Sequence, residues 1–206
     1  MISTLQFISN DFSRSHIQNI ELACKAGLKW IQLRAKNIDL ESYIELAENA
    51  QNICVKYNAQ LIINDNWHVA ESIIADGVHV GLNDTPVNQV RNKLGDSYII
   101  GGTANTLDDV VHHVSNGADY VGLGPYKFTN TKNNLSPILG LVGYEKIINN
   151  LQKQNIKIPI IAIGGINLED IQSLKDVGVH GIAFSTLITE SENSFTVVEK
   201  LQKIFQ

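Results

Sequence analysis

The stretch QLIINDNWHVAESIIADGVHVGLND, residues 60–84, contains two apolar runs, QLIIND at 60–65 and GVHVG at 77–81, and an Asn-Asp pair closes each. Asp84 follows Asp65 by nineteen residues. Short runs rich in β-branched residues and bounded by Gly, Asn and Asp read as strands. Two strands thus deliver Asn64-Asp65 and Asn83-Asp84 to their C-terminal ends. Either both pairs cap helices or they serve chemistry together.

Working outward, the pattern repeats from end to end. Strand-like runs stand at LQFIS 5–9, WIQLRA 30–35, YIIGG 98–102, YVGLG 120–124, IPIIAIGG 158–165 and GIAFS 181–185, which makes eight with the first two. Between them apolar residues recur at helical spacing, as with Ile17, Ile20 and Ala23, with Tyr43, Ile44, Ala47 and Ile53, and with Val110, Val111 and Val114. A last helix spans 194–205, with Val197, Val198, Leu201 and Ile204 on one face. Gly27, Gly95, Gly117 and Gly178 stand where a left-handed cap closes a helix. No linker interrupts the pattern. Near-continuously apolar strands are those of a parallel sheet buried on both faces, and eight βα units predict an α/β fold, a (β/α)8 TIM barrel in a single domain over 1–206. An open doubly wound sheet is the alternative. In a barrel the active site lies at the C-terminal ends of the strands.

Composition narrows the function classes. With 206 residues, 44% hydrophobic and 18% charged, the chain can bury a large core and has no signature of disorder. No apolar run approaches the roughly 18 residues that span a bilayer, and the first residues lack a basic segment leading into an apolar one. The expectation is a cytoplasmic protein with no membrane partner. A formal charge of −5 argues against a nucleic-acid partner. Cys24 and Cys54 lack metal-ligand spacing and read as reduced packing residues.

The strand ends carry the chemistry. In WIQLRAK, Gln32, Arg34 and Lys36 alternate with Ile31, Leu33 and Ala35, so a strand running to Lys36 turns the polar trio toward the barrel mouth as an anion pocket. If the strand stops near Leu33, the charges are solvated instead. Asn64, Asp65 and Asp84 end neighbouring strands. Helix capping accounts for them, DTP at 84–86 reading as a helix entry with Pro86 in the first turn, and so does a Mg²⁺ site in which substrate phosphates complete the shell. The longest helix-free connection, 124–140, offers Thr129, Thr131 and Lys132 to a phosphate. GGIN after the seventh strand and Ser185-Thr186 after the eighth stand where many barrels bind phosphate through backbone N–H groups. Two anion sites suggest a joining reaction or a cleavage.

In order and spacing, QLRAK, INDN, ADGVHVGLND, ADYVGLGP, TNTK and PIIAIGGIN resemble the motifs of the thiamine phosphate synthase family, from about residue 30 to residue 186. The resemblance implies small-molecule partners: hydroxymethylpyrimidine pyrophosphate and a thiazole phosphate are joined to thiamine phosphate, with release of pyrophosphate and with Mg²⁺ as cofactor. Homo-oligomerisation is left open. By position, Asp65 and Asp84 match the Mg²⁺ ligands, and Arg34, Lys36, Asn64 and Lys132 match contacts to pyrophosphate. Gln32 and Thr103 match residues around the pyrimidine, and Thr129 and Thr131 fall in the phosphate-holding loop. Gly165, Ser185 and Thr186 match the thiazole-phosphate site. Arg34, Lys36, Lys132 and Thr103 are the residues expected to act in catalysis. Asn66, His68, Leu82, Thr103, Asn105 and Phe128 depart from the family's usual residues, several around the pyrimidine or its entrance. A related thiazole tautomerase needs an acid/base His where Asn105 stands, and a non-catalytic phosphate-binding barrel has no use for the paired acids with Lys132. His79 reads as a satisfied core residue, and His112 and His113 as helix residues that are solvated or packed.

Overall fold

A computed structural model describes residues 1–129 and 137–205. Eight parallel strands pair in chain order: β1 (Leu5–Ile8), β2 (Trp30–Leu33), β3 (Gln60–Asn64), β4 (Gly77–Val80), β5 (Ile99–Ala104), β6 (Tyr120–Leu123), β7 (Ile160–Ile163) and β8 (Gly181–Phe184). β8 pairs with β1, which closes the barrel and excludes the open sheet. The helices between them are α1 (His16–Lys25), α2 (Leu40–Lys56), α3 (Trp67–Ser72), α4 (Val87–Leu94), α5 (Leu107–Ser115), α6 (Gly140–Lys153) and α7 (Ile171–Val177). After β8 comes a one-turn helix, α8 (Thr186–Thr189), which the sequence pattern did not suggest, and then α9 (Ser194–Phe205). Among the described residues no helix is long and apolar enough to cross a membrane.

Period-two alternation sorts the strand residues into two cores. Ile31 and Leu33, Leu61 and Ile63, Val78 and Val80, Val121 and Leu123 point outward and pack under the helices. Inside the barrel Ile8, Trp30, Ile62, Tyr120, Ile161 and Ala183 form a smaller cluster, in which Trp30 meets Tyr120 edge-on at 4.8 Å. Each large apolar side chain so buried contributes about 1.5–3 kcal/mol. Cys24 and Cys54 are buried free thiols in the outer core, as expected.

At the floor of the barrel, where the strands begin, two aspartates tie neighbouring strands. Asp76, just before β4, accepts the N–H of Leu61 at 2.7 Å, and Asp119, just before β6, accepts the N–H of Ile100 at 2.7 Å. Asp119 also receives Arg91 Nη2 at 2.6 Å, while the same guanidinium donates to the carbonyls of Gly95, Tyr98 and Gly117 at 3.0, 2.8 and 3.2 Å. The ADGV and ADYV segments therefore act in folding. Their acids lie at the end away from the predicted site.

Two tyrosines on the outer helices hold the opposite ends of the strands. Tyr43 on α2 reaches the carbonyls of Leu33 and Asn64 with its hydroxyl at 3.0 and 3.1 Å, joining the ends of β2 and β3. Tyr144 on α6 does the same for β6 and β7, donating to the Leu123 carbonyl and accepting the N–H of Ile163 at 3.4 Å. Burial, ahead of any charge, raises both phenols well above their ordinary range, so both keep the proton they donate.

Candidate active site

A cavity of about 530 Å³ opens at the C-terminal ends of the strands. Gln32, Arg34, Lys36, Asn64, Asp65, Asp84, Thr103, Thr129, Gly165, Ser185 and Thr186 all line it. Thr131 and Lys132 lie outside the described residues, as does part of the 126–138 loop.

The polar trio of WIQLRAK reaches this cavity by a route other than the one expected. β2 ends at Leu33, so Arg34 and Lys36 leave the strand. The alternation nevertheless persists: Ile31, Leu33 and Ala35 remain in the outer core, and Gln32, Arg34 and Lys36 face the cavity. A hydrogen bond from the Arg34 N–H to Ser9 Oγ at 3.1 Å keeps the chain extended past its last ladder bond. The seventh strand is likewise shorter than expected, ending at Ile163 and leaving Gly164 and Gly165 outside it.

The two Asn-Asp pairs cap no helix. α3 is capped by Asn66, whose side chain accepts the N–H groups of His68 and Val69, and α4 starts after Pro86, one residue later than DTP suggested, with no side-chain cap. Asp84 accepts the N–H of Gly81 at 2.7 Å, within its own loop. Asp65 takes a left-handed conformation (φ 64°), rare outside glycine, while its N–H bonds the His79 carbonyl at 2.7 Å. Its carboxylate forms an ion pair with Lys36 and is close enough to the Asp84 carboxyl to act on its titration. Burial, then the hydrogen bond and charge of Asp65, raise the Asp84 pKa. Two carboxyl groups in such contact need a shared proton or a cation between them.

These residues fit a magnesium ion. Among the described residues no cluster of three or more His, Cys, Asp or Glu could hold a metal alone. One or two carboxylates with substrate oxygens in the remaining positions is how Mg²⁺ is held beside phosphates. The neighbouring side chains are equally incomplete. Gln32 Nε2 and Asn64 Nδ2 are buried and find no acceptor among the described residues. Each orphan donor costs roughly 1–3 kcal/mol, which an acceptor-rich ligand would recover.

Gly164 and Gly165 have φ of 96° and 65°, and a Cβ on them would meet Pro125 Cα at 2.8 Å and the Phe128 carbonyl oxygen at 2.5 Å. Glycine here admits the backbone of the loop after β6, which bonds β7 through the Tyr126 N–H to the Ile163 carbonyl at 2.8 Å. Ser185 Oγ donates to the Ile8 carbonyl at 2.6 Å and accepts from Asn10 Nδ2 at 2.6 Å. Asn105 donates from its side chain to the Gly124 carbonyl, and its amide offers no acid or base. His113 is buried and packs on Gly102, so it belongs to the packed alternative.

The sequence reading missed what lies beneath Thr103. His79 joins Tyr120 Oη through Nδ1 and Thr103 Oγ1 through Nε2, each at 3.0 Å, and Gln6 Nε2 donates to Tyr120 Oη at 3.2 Å. His79 lines the cavity as well as packing in the barrel. The available signal was period two: Gln6, His79, Thr103 and Tyr120 all occupy inward positions.

A family model described as thiamine monophosphate synthase matches residues 5–188. The chain belongs to the thiamine monophosphate synthase family. A thiamine-phosphate synthase of Flavobacterium johnsoniae is 47% identical over 98% of this chain and 96% of its own length. That of Bacteroides thetaiotaomicron is 43% identical over 96% and 95%. Among solved structures, thiamine phosphate pyrophosphorylase from Pyrococcus furiosus superposes with a TM-score of 0.85 at 28% identity, covering 98% of this chain and 95% of that one. A 3-hexulose-6-phosphate synthase shares the fold alone, with a TM-score of 0.71 at 14% identity. Family membership accounts for the order of the motifs, and the described residues expected at the strand ends line one cavity.

Proposed function

We propose that this protein is a transferase that joins hydroxymethylpyrimidine pyrophosphate to a thiazole phosphate, giving thiamine phosphate and pyrophosphate. The observation that carries the reading is the meeting of Asp65, Asp84 and Lys36 with the buried orphan donors of Gln32 and Asn64 in one cavity. Asp65 and Asp84 would hold Mg²⁺, which when bound supplies positive charge where the departing diphosphate becomes negative. Arg34, Lys36, Asn64 and Lys132 would bind the diphosphate, and preplaced donors stabilise its growing charge as the bond from carbon to oxygen breaks. Gln32 and Thr103 would hold the pyrimidine, with Gly165, Ser185, Thr186, Thr129 and Thr131 around the phosphate of the thiazole. Capture of the pyrimidine-methyl cation by the thiazole nitrogen releases no proton. That route asks for no base at the positions of Asn105, which is an amide, or His79, which is engaged through both ring nitrogens.

The test is to supply both substrates with Mg²⁺ and follow thiamine phosphate by chromatography. Product that depends on Mg²⁺ and on both substrates is expected. Isomerisation of the thiazole precursor without the pyrimidine, or phosphate binding without turnover, would replace this reading.

A further inference from the structure

We propose that Tyr120, buried inside the barrel, is a positioning residue that fixes the tautomer of His79 and thereby directs the hydroxyl hydrogen of Thr103 into the cavity. This rests on the functional reading above. The order of protons follows from which atoms can donate. Gln6 Nε2 carries only hydrogens, so at 3.2 Å it donates to Tyr120 Oη. Tyr120 is fully buried, and burial keeps its phenol protonated. With Gln6 donating to its oxygen, its one hydrogen has His79 Nδ1, 3.0 Å away, as its acceptor in this proton order. A neutral imidazole that accepts at Nδ1 carries its hydrogen on Nε2. That hydrogen is donated to Thr103 Oγ1 at 3.0 Å, so the hydroxyl must turn its own hydrogen away from His79. Thr103 then donates to a lone pair of the substrate.

The fold makes room for this chain of groups. A Cβ at Gly101 would stand 2.2 Å from Tyr120 Cζ and 2.6 Å from His79 Nδ1, and one at Gly122 would stand 3.1 Å from His79 Cε1. The two rings lie 5.4 Å apart, and Trp30 packs edge-on against Tyr120 from the other side. Neither ring can turn to a different partner without moving this packing.

The experiment has a spectroscopic and a kinetic arm. In ligand-free ¹⁵N-labelled protein at neutral pH, two-bond ¹H–¹⁵N correlations report the tautomer, with His79 assigned by its loss in His79→Asn. The wild type is expected to show the Nε2–H form, and Tyr120→Phe to lose that preference. Gln6→Met, which removes the amide donor and leaves the ring in place, is expected to weaken it. A wild-type Nδ1–H form, as the opposite orientation of the Gln6 amide would give, overturns the proposal. So does an unchanged pattern in Tyr120→Phe. Kinetically, loss of one directed hydrogen bond corresponds to about a tenfold fall in kcat/KM for Tyr120→Phe. Thr103→Val should fall at least as far, and Thr103→Ser should keep most of the rate. Because Tyr120 acts through Thr103, the double variant should be no slower than Thr103→Val alone, and additive losses would overturn the proposal. The spectroscopic arm needs no substrate, so it decides the proton order even if the wild type forms no thiamine phosphate, an outcome that would overturn the functional reading alone.

Discussion

Two pairs of aspartates sit at opposite ends of the same barrel and live under opposite electrostatic conditions. At the floor, Asp76 and Asp119 each accept a strand N–H, and Asp119 also holds the Arg91 guanidinium. At the mouth, Asp65 and Asp84 face one another, with Lys36 beside one of them and burial raising the pKa of the other. The floor acids are satisfied by the fold. The mouth acids are brought together by it at a cost that falls on Asp84, and a carboxyl so shifted in a cleft marks a candidate place for a ligand. Residue type and a position beside a strand are common to all four, so only the surroundings tell them apart.

The largest expected effect tests the mouth. Asp65→Asn and Asp84→Asn should each lower turnover by about 10²–10³-fold, the range for losing one preplaced charge-stabilising group. Ligand-free stability should not fall with them. Asp84 has a raised pKa in the folded state, so the stability it lends at low pH is lost as pH rises through that value. Asp84→Asn should therefore be more stable than the wild type at neutral pH, with the gap closing toward acid. Urea midpoints at neutral and acid pH check the sign, and a less stable variant at neutral pH would erase the distinction between the two ends.

The floor should respond the other way. Asp119→Ala leaves the Ile100 N–H without its acceptor and the half-buried Arg91 without its carboxylate, with three carbonyls still accepting from the guanidinium. Hydrogen bonds to a charged group are worth about 1.5–3 kcal/mol, so a loss of roughly 2–3 kcal/mol is expected, with activity per folded molecule retained. Urea unfolding and a rate normalised to folded protein measure both. A smaller loss is expected midway, for Tyr43→Phe. Removing its hydroxyl withdraws a donor from the Leu33 and Asn64 carbonyls directly under the mouth, at a cost of about 1 kcal/mol. Because those carbonyls end β2 and β3, KM for the diphosphate substrate should rise as well. A stability loss with unchanged KM would assign Tyr43 to the core alone.

What could be read from the sequence followed the same divide. Inward and outward positions were legible because period two is strict: QLIIN and GVHV put Leu61, Ile63, Val78 and Val80 in the outer core and turn Ile62 and His79 into the barrel. Residues at the mouth were legible as polar groups ending apolar runs, and every described one lines the cavity. Strand ends were less so. In WIQLRAK the alternation outlasts the ladder because Ser9 holds the Arg34 N–H from a neighbouring strand end, a contact 25 residues away in sequence. Tyr43 looked like any buried helix residue, since its hydroxyl partners belong to two other elements. Asn66, standing beside a more conspicuous Asn-Asp pair, concealed that it supplies the cap of α3.

The smallest expected effect lies at the floor end of α3. Ile74 has a left-handed backbone (φ 53°) and is 78% exposed, so its β-branched side chain carries strain without burial to offset it. The position closes the helix: the Ala75 N–H returns to the Ala70 carbonyl at 2.9 Å and the Ile74 N–H to Glu71 at 3.2 Å, the pattern that favours glycine. Ile74→Gly relieves the left-handed strain, while glycine's greater freedom in the unfolded chain takes part of that gain back. The net should be a stabilisation of about 0.5–1 kcal/mol, read as a rise in urea midpoint with no change in rate. Among the described residues, neither Ile74 nor its partners Ala70, Glu71 and Ala75 line the cavity. A changed rate would mean that floor and mouth are coupled through α3, which runs from the Asn66 cap next to Asp65 down to Ile74.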